Sequence, residues 1–372
     1  MHKANIATTG QAVRTALLAA LALTVTLGGV VLAPRPSGHA GAPQAQPDSQ
    51  AQPDGASQPF GFSPAQLQAA YGLSTAPDAG AGQTIAIVDS YDDPAIVADL
   101  AAFDTAFDLP ACSASCFTRV DQAGGTDYPP TAPANWGIEI AMDVEWAHAI
   151  APGAHILLVE AASAGLGDLL IAERYAGAHA RYVSNSWGYP EFAGETADAA
   201  SFAGPGVSYF AAVADSPGRT QYPATAPNVI AVGGDERTAA GTIPWTSGGG
   251  GCSAYELAPA GLAGLATAAG CSGRQPTPAV SADAVNIPVL GDNSTWVNVG
   301  GTSFATVLWA AAAADSGQVL TNQAIAAGSI PLQGIVGGTP LKTGLGDLGV
   351  IPRMVGEFTD MVFGTIVATI WQ

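Results

Sequence analysis

The sequence predicts an α/β protein with a mainly parallel central sheet and helices on both faces, three layers in all. Short apolar runs rich in β-branched residues recur along the chain, with segments of helical spacing between them. These runs do not alternate polar with apolar residues, as one-sided antiparallel strands do. They read as strands buried on both faces, the signature of a parallel sheet with right-handed crossovers.

In chain order, Gln83 to Asp89 (QTIAIVD) is the first such strand, and Pro94 to Phe107 follows with helical spacing. Trp136 to Ile150 reads as a helix stopped by Pro152 and Gly153. His155 to Glu160 is a strand and Gly167 to Ala178 a helix. Tyr182 to Ser186 and Val207 to Val213 are strands with a helical stretch between them, and Val229 to Val232 is another. Trp296 to Val299 is a strand that runs into the helix Thr302 to Asp315. Sites in such sheets lie beyond the carboxyl ends of the strands, so chemistry is sought just after each one.

Composition excludes several classes. Hydrophobic residues make up 48% of the 372 and charged ones 11%, which excludes a disordered chain. Lys and Arg number 11 against 30 Asp and Glu, a net charge of −19. That excess argues against nucleic-acid and anionic-membrane partners, which need clustered cations. It also suits an acidic setting, where protonation relieves the self-repulsion.

The first 40 residues read as a signal peptide. Lys3 and Arg14 precede the apolar run Ala16 to Ala33, and the small residues Gly38 and Ala40 follow, with cleavage after Ala40. The competing reading is an uncut anchor, since the run is about long enough to span a bilayer. Residues 41–59 read as a flexible linker, 60–352 as the folded domain, and 353–372 as a tail of unassigned role. The expected location is extracellular, and nothing demands more than a monomer. Four cysteines in an exported chain suggest two disulfides. Of three possible pairings the local ones, Cys112–Cys116 and Cys252–Cys271, are favoured. A metal reading is weaker, because no His lies at ligand spacing from either pair.

Candidate chemistry lies in four places. Gly300-Gly301-Thr302-Ser303 joins a strand to a helix and sets Ser303 at a helix N-terminus, which favours developing negative charge. An ordinary helix cap is the competing reading. Glu139 and Asp143 are four apart on one helix face, with Trp146 on the same stripe able to shield them. Two acids so close share a proton at acid pH and make a base that works below neutrality. Their surroundings are nearly all apolar, which disfavours the alternative of a solvated face. Asp215 directly follows a strand, although Ala-Asp-Ser-Pro-Gly also suits a plain turn. Histidine matters by absence. His2 and His39 fall in the export segment, His148 lies on the far side of the helix from Glu139, and His155 and His179 sit at element ends. A serine nucleophile still needs a base, and the carboxyl pair is the next candidate.

These residues sit in blocks whose order resembles the sedolisins, the serine-carboxyl peptidases. The blocks include IAIVDSYDDP from Ile85, AFDLPAC from Ala106, EIAMDVEWAHAIAPGAHILLVEA from Glu139 and VSNSWG from Val183. They continue with YPATAPNVIAVGG from Tyr222, SGGGGCS from Ser247 and VGGTSFA from Val299. The resemblance implies a subtilisin-like fold and acid-active cleavage of protein or peptide substrates, by an endopeptidase or a tripeptidyl peptidase. It implies Ser303 as nucleophile, Glu139 as the acid that takes its proton, Asp143 as hydrogen-bond partner of Glu139, and Asp215 in the oxyanion hole. It further implies a substrate cleft lined by Ser184, Trp187 and Gly188 on one side and Gly249 and Gly250 on the other. No cofactor is needed for that chemistry.

The chain departs from the family pattern in places. Ala214-Asp215-Ser216-Pro217 stands where Gly-Asp-Ser-Gly is usual, and Val307 replaces a usual Pro. The family's calcium site is expected to be lost, since Pro340 stands where an Asp belongs, three before Thr343-Gly344, and residues 332–338 hold no acid. Only the linker separates the signal from the domain, where many family members carry a large folding prosegment. These departures motivate a competing reading, a catalytically weak relative acting as an extracellular binding protein. Retention of all four catalytic positions speaks against it.

Overall fold

The structure, a computed structural model, describes residues 59–238, 241–291 and 295–326. The expected signal peptide, nearly all of the linker, the stretch 332–344 and the tail lie outside these residues. In chain order the elements are α1 (Pro64–Tyr71), β1 (Thr84–Ser90), α2 (Ile96–Phe107), β2 (Phe117–Asp121), α3 (Ala134–Ile150), β3 (His155–Ala161), α4 (Leu166–His179) and β4 (Tyr182–Asn185). Then come β5 (Tyr189–Pro190), a 3₁₀ helix at Glu195–Phe202, β6 (Ser208–Ala212), β7 (Gln221–Tyr222), β8 (Val229–Thr238) and β9 (Gly241–Pro244). The rest are β10 (Gly251–Leu257), α5 (Ala263–Ala268), β11 (Arg274–Thr277), β12 (Val280–Asp283), β13 (Ile287–Gly291), β14 (Thr295–Val299), α6 (Thr302–Ser316) and α7 (Asn322–Ala326).

The central sheet runs β12-β8-β6-β4-β1-β3-β2, with every pairing along this path parallel, and β9 adds antiparallel to β8. Successive residues of β1 enter opposite cores. Ile85 and Ile87 pack with α3 and α6, while Ala86 and Val88 pack with α4. A strand buried on both faces has no polar side to alternate with, which is why its sequence reads as one apolar run.

Helix α3 lies inside the domain, with every residue from Glu139 to Ile150 buried. A helix apolar nearly all round has no solvent face to present. Trp146 fixes its position. Its ring nitrogen donates to Pro288 O at 2.9 Å, and its ring meets Phe304 edge-on at 5.0 Å between centroids. Burying an aromatic of this size stabilises by roughly 1.5–3 kcal/mol. The expected shield over the acid pair thus packs under Phe304, the residue after Ser303, and locks α3 to α6.

Two expectations change. The strand at Trp296–Val299 forms as β14, but it pairs antiparallel with β13 outside the central sheet. The strands β2 and β12 were not legible, because Phe117–Asp121 carries Thr and Arg, and Val280–Asp283 is short and half polar. An edge position tolerates such residues.

Candidate active site

Five segments deliver polar side chains to one end of the sheet. Asp89 stands near the end of β1, Ser186 just after β4 and Asp215 just after β6, while α3 brings Glu139 and Asp143 and α6 brings Ser303. This is the carboxyl end of the parallel strands, where crossovers leave a crevice.

Ser303 occupies the first turn of α6 and is 1% exposed. The amides of a first helical turn have no intrahelical acceptor, so they and the dipole favour an anion there. Asp215 joins that helix end directly. Its Oδ1 accepts from the Thr302 amide at 2.8 Å and the Thr302 hydroxyl at 2.9 Å. Its other oxygen, Oδ2, faces Gly301, where a Cβ would come to 3.0 Å. The glycine therefore makes room for the carboxyl beside Ser303.

Glu139 and Asp143 are both buried, which removes the solvated-face alternative. Burial raises the Glu139 pKa well above the ordinary carboxylate range, and the charges of Asp143, Asp89 and Asp215 push the same way. The Ser303 hydroxyl lies close enough to pull it back down. Strict geometry gives Ser303 Oγ no full hydrogen bond, which fits a nucleophile–base pair that tightens on substrate. Asp143 is raised by burial and then by Asp89, and lowered by the Ser186 hydroxyl. Ser186 Oγ also donates to Ser303 O at 3.5 Å.

Asp89 is the group that sequence reasoning missed. It is fully buried, and burial pushes it up to about 7. The signal was present, since Asp89 is the one acid closing the apolar strand Ile85–Val88, at the strand end where sites form. Three buried carboxyls thus stand together near Ser303. They cannot all ionise, so protons are held among them near the hydroxyl.

The other cleft positions fall differently. Ser184 is 0% exposed within β4, in register with Ile87 and Phe210, and Trp187 is 1% exposed. Neither presents its side chain to solvent. Gly188 lies against the Gln221 amide, where a Cβ would come within 2.0 Å. Gly249 N–H donates to Ala214 O at 2.6 Å and Gly250 N–H to Arg219 O at 2.8 Å, so both glycines hold the segment that carries Asp215. Ala214 itself has φ of 110°, a conformation natural to the glycine usual there and strained for alanine.

The three described histidines bond elsewhere. His155 contacts Ser115 O and His179 contacts Tyr175 O. His148 is buried with Nε2 at 2.7 Å from Pro110 O and Nδ1 at 3.5 Å from Cys116 Sγ. The fold thus brings His148 to Cys112 and Cys116 despite the wide sequence spacing. Those sulfurs are bonded to each other, as are Cys252 and Cys271, so the thiolates a metal would need are not available.

The arrangement can activate a hydroxyl, hold its proton on a carboxyl, and offer a further carboxyl to an oxyanion. No family model matches the chain. Among curated proteins it is similar to kumamolisin of Bacillus sp. (strain MN-32), 31% identical over 300 residues, covering 70% of this chain and 52% of that one. The chain therefore spans about half the length of the curated relative it matches. Pseudomonas sedolisin, a serine-carboxyl proteinase solved with two molecules of pseudo-iodotyrostatin, superposes with a TM-score of 0.59 at 23% identity, over 73% of this chain and 86% of that one. Fervidolysin from Fervidobacterium pennivorans, a keratinolytic enzyme related to subtilisin, gives 0.51 at 14% identity, over 77% and 46%. The structural likenesses speak to fold.

Proposed function

The chain belongs to the sedolisin family and has its subtilisin-like fold, and from that premise we propose that it is a secreted, acid-active serine-carboxyl endopeptidase. One observation carries the reading. The buried, pKa-raised Glu139 carboxyl stands against the Ser303 hydroxyl, and the three described histidines bond elsewhere.

In this reading Glu139, ionised while Asp143 or Asp89 holds the shared proton, takes the Ser303 proton as Oγ attacks the peptide carbonyl. A raised pKa makes it a stronger base than an exposed glutamate. Asp215 donates from Oδ2 to the tetrahedral oxyanion, while Thr302 anchors Oδ1. Only a protonated acid can donate, so turnover falls as pH rises toward neutral. Collapse passes the proton from Glu139 to the leaving amine and leaves an acyl ester on Ser303. Water then repeats the sequence, giving its proton to Glu139 and releasing the new carboxyl end. Export is supported by the leader-like first 40 residues and the two disulfides. No helix among the described residues is long and apolar enough to cross a membrane.

Digestion of a denatured protein at roughly pH 3–5 tests the proposal, with Ser303→Ala as control. New peptides from the wild type alone are expected. Equal digestion by both proteins would discard the nucleophile assignment.

A further inference from the structure

Asp215 sits in a segment, Ala214 to Thr220, that has no regular structure of its own. Thr302, Gly249 and Gly250 hold it at Asp215, Ala214 and Arg219. Its far end is held by a side chain that sequence reasoning did not single out. Glu191 Oε2 accepts the Thr220 hydroxyl, and Glu191 Oε1 accepts the Ser253 hydroxyl. The Ala254 amide lies 3.2 Å from each of the same two oxygens.

The Ser253 bond is directional by necessity. Ser253 Oγ already accepts from the Glu256 amide at 2.8 Å and the Tyr255 amide at 3.1 Å. A hydroxyl has one proton and two lone pairs, so with both lone pairs engaged its proton goes to Glu191. Ser253 is 2% exposed, and the neighbouring Cys252 is bonded to Cys271. Glu191 therefore ties the end of the Asp215 segment to a covalently braced strand, β10, through hydroxyl bonds to both of its carboxyl oxygens.

We infer that Glu191 is a positioning residue that sets where Asp215 stands relative to Ser303. It does not touch the reacting atoms. The inference rests on the serine-carboxyl reading above, because a misplaced Asp215 matters only if Asp215 serves the oxyanion. A shift of about 1 Å in such a group can cost as much as 10²-fold. The loss falls on interactions made in the transition state, so it appears in kcat and not in KM.

Steady-state kinetics at acid pH, with thermal melts, would compare Glu191→Ala, Thr220→Val, Asp215→Ala and the Glu191→Ala/Asp215→Ala double variant. Glu191→Ala is expected to lower kcat about 10- to 10²-fold with KM within about threefold. Thr220→Val, which removes one donor, should lose roughly three- to tenfold in the same manner. In the Asp215→Ala background Glu191→Ala should cost less than about twofold more, since it acts through the missing group. The inference is overturned if Glu191→Ala only lowers the melting temperature and keeps wild-type kcat, or if the two losses multiply. Should Glu191→Ala not fold, Thr220→Val decides, and wild-type kcat there overturns it. Full turnover in Asp215→Ala would instead sink the oxyanion reading itself.

Discussion

Helix α3 carries buried acids in two different surroundings, and only one of these includes the Ser303 hydroxyl. Glu139 and Asp143 face Asp89, Ser186 and Ser303. Two residues past Asp143, Glu145 is buried just as fully, and its pKa is raised first by burial and then by Asp99, Asp104 and Asp93. Its Oε2 accepts the Leu290 amide at 3.1 Å, and Ser303 is not among the groups that shift it. The two sets are alike in burial and in the direction of their shifts. They differ in what converges on them. A perturbed carboxyl marks a candidate, and a nucleophile with an oxyanion donor makes it a site.

Substitutions can break this contrast. Glu139→Gln should lower turnover by about 10²–10⁴-fold, with circular dichroism confirming the fold. Wild-type rates there would erase the distinction between the two sets. Asp89→Asn removes one of the carboxyls that can hold the shared proton behind the pair and should cost about tenfold, with the acid limb of the pH–rate profile displaced. An unchanged profile would remove Asp89 from the site.

Glu145→Gln should leave turnover within about twofold and act on stability alone. Burial raises the Glu145 pKa well above the ordinary carboxylate range in the fold, whereas the unfolded chain ionises it near its ordinary value. Glu160 behaves alike, pushed up to about 8 by burial, with Asp92 adding to the rise. Between about 4.3 and that value the folded state holds more protons than the unfolded one, so stability falls as pH rises. Melting temperature should therefore be highest at acid pH and decline toward neutrality, and less steeply in Glu145→Gln. A melting temperature that climbs through that window would contradict the assignment. The smallest effect is expected of Ala214→Gly, which relieves a left-handed alanine. It should stabilise by about 1 kcal/mol, read by chemical denaturation.

Much of the site was legible because its residues obey local rules. The spacing of Glu139 and Asp143 places both on one helix face whatever surrounds them. The glycine pair before Ser303 announces a strand-to-helix turn. Asp89 obeyed the strand-end rule too, but its partners come from α3, and one strand does not reveal which helix covers it. Glu191 and Thr220 were harder still, because the hydrogen bonds that give them meaning join segments far apart in sequence. His148 shows the reverse error, where helical geometry set it apart from Glu139 correctly and sequence spacing hid its approach to Cys116. The alternation of β1 was invisible for a physical reason, since both of its faces meet oil.

The four acids and Ser303 at this end of the sheet enter the chain in the order Asp89, Glu139, Asp143, Asp215 and Ser303. The Ser303 hydroxyl comes last, on a helix that packs against β4, β6, β8 and β12, all of which precede it in the chain. A chain cut short before α6 would thus carry all four acids and no Ser303 for them to face.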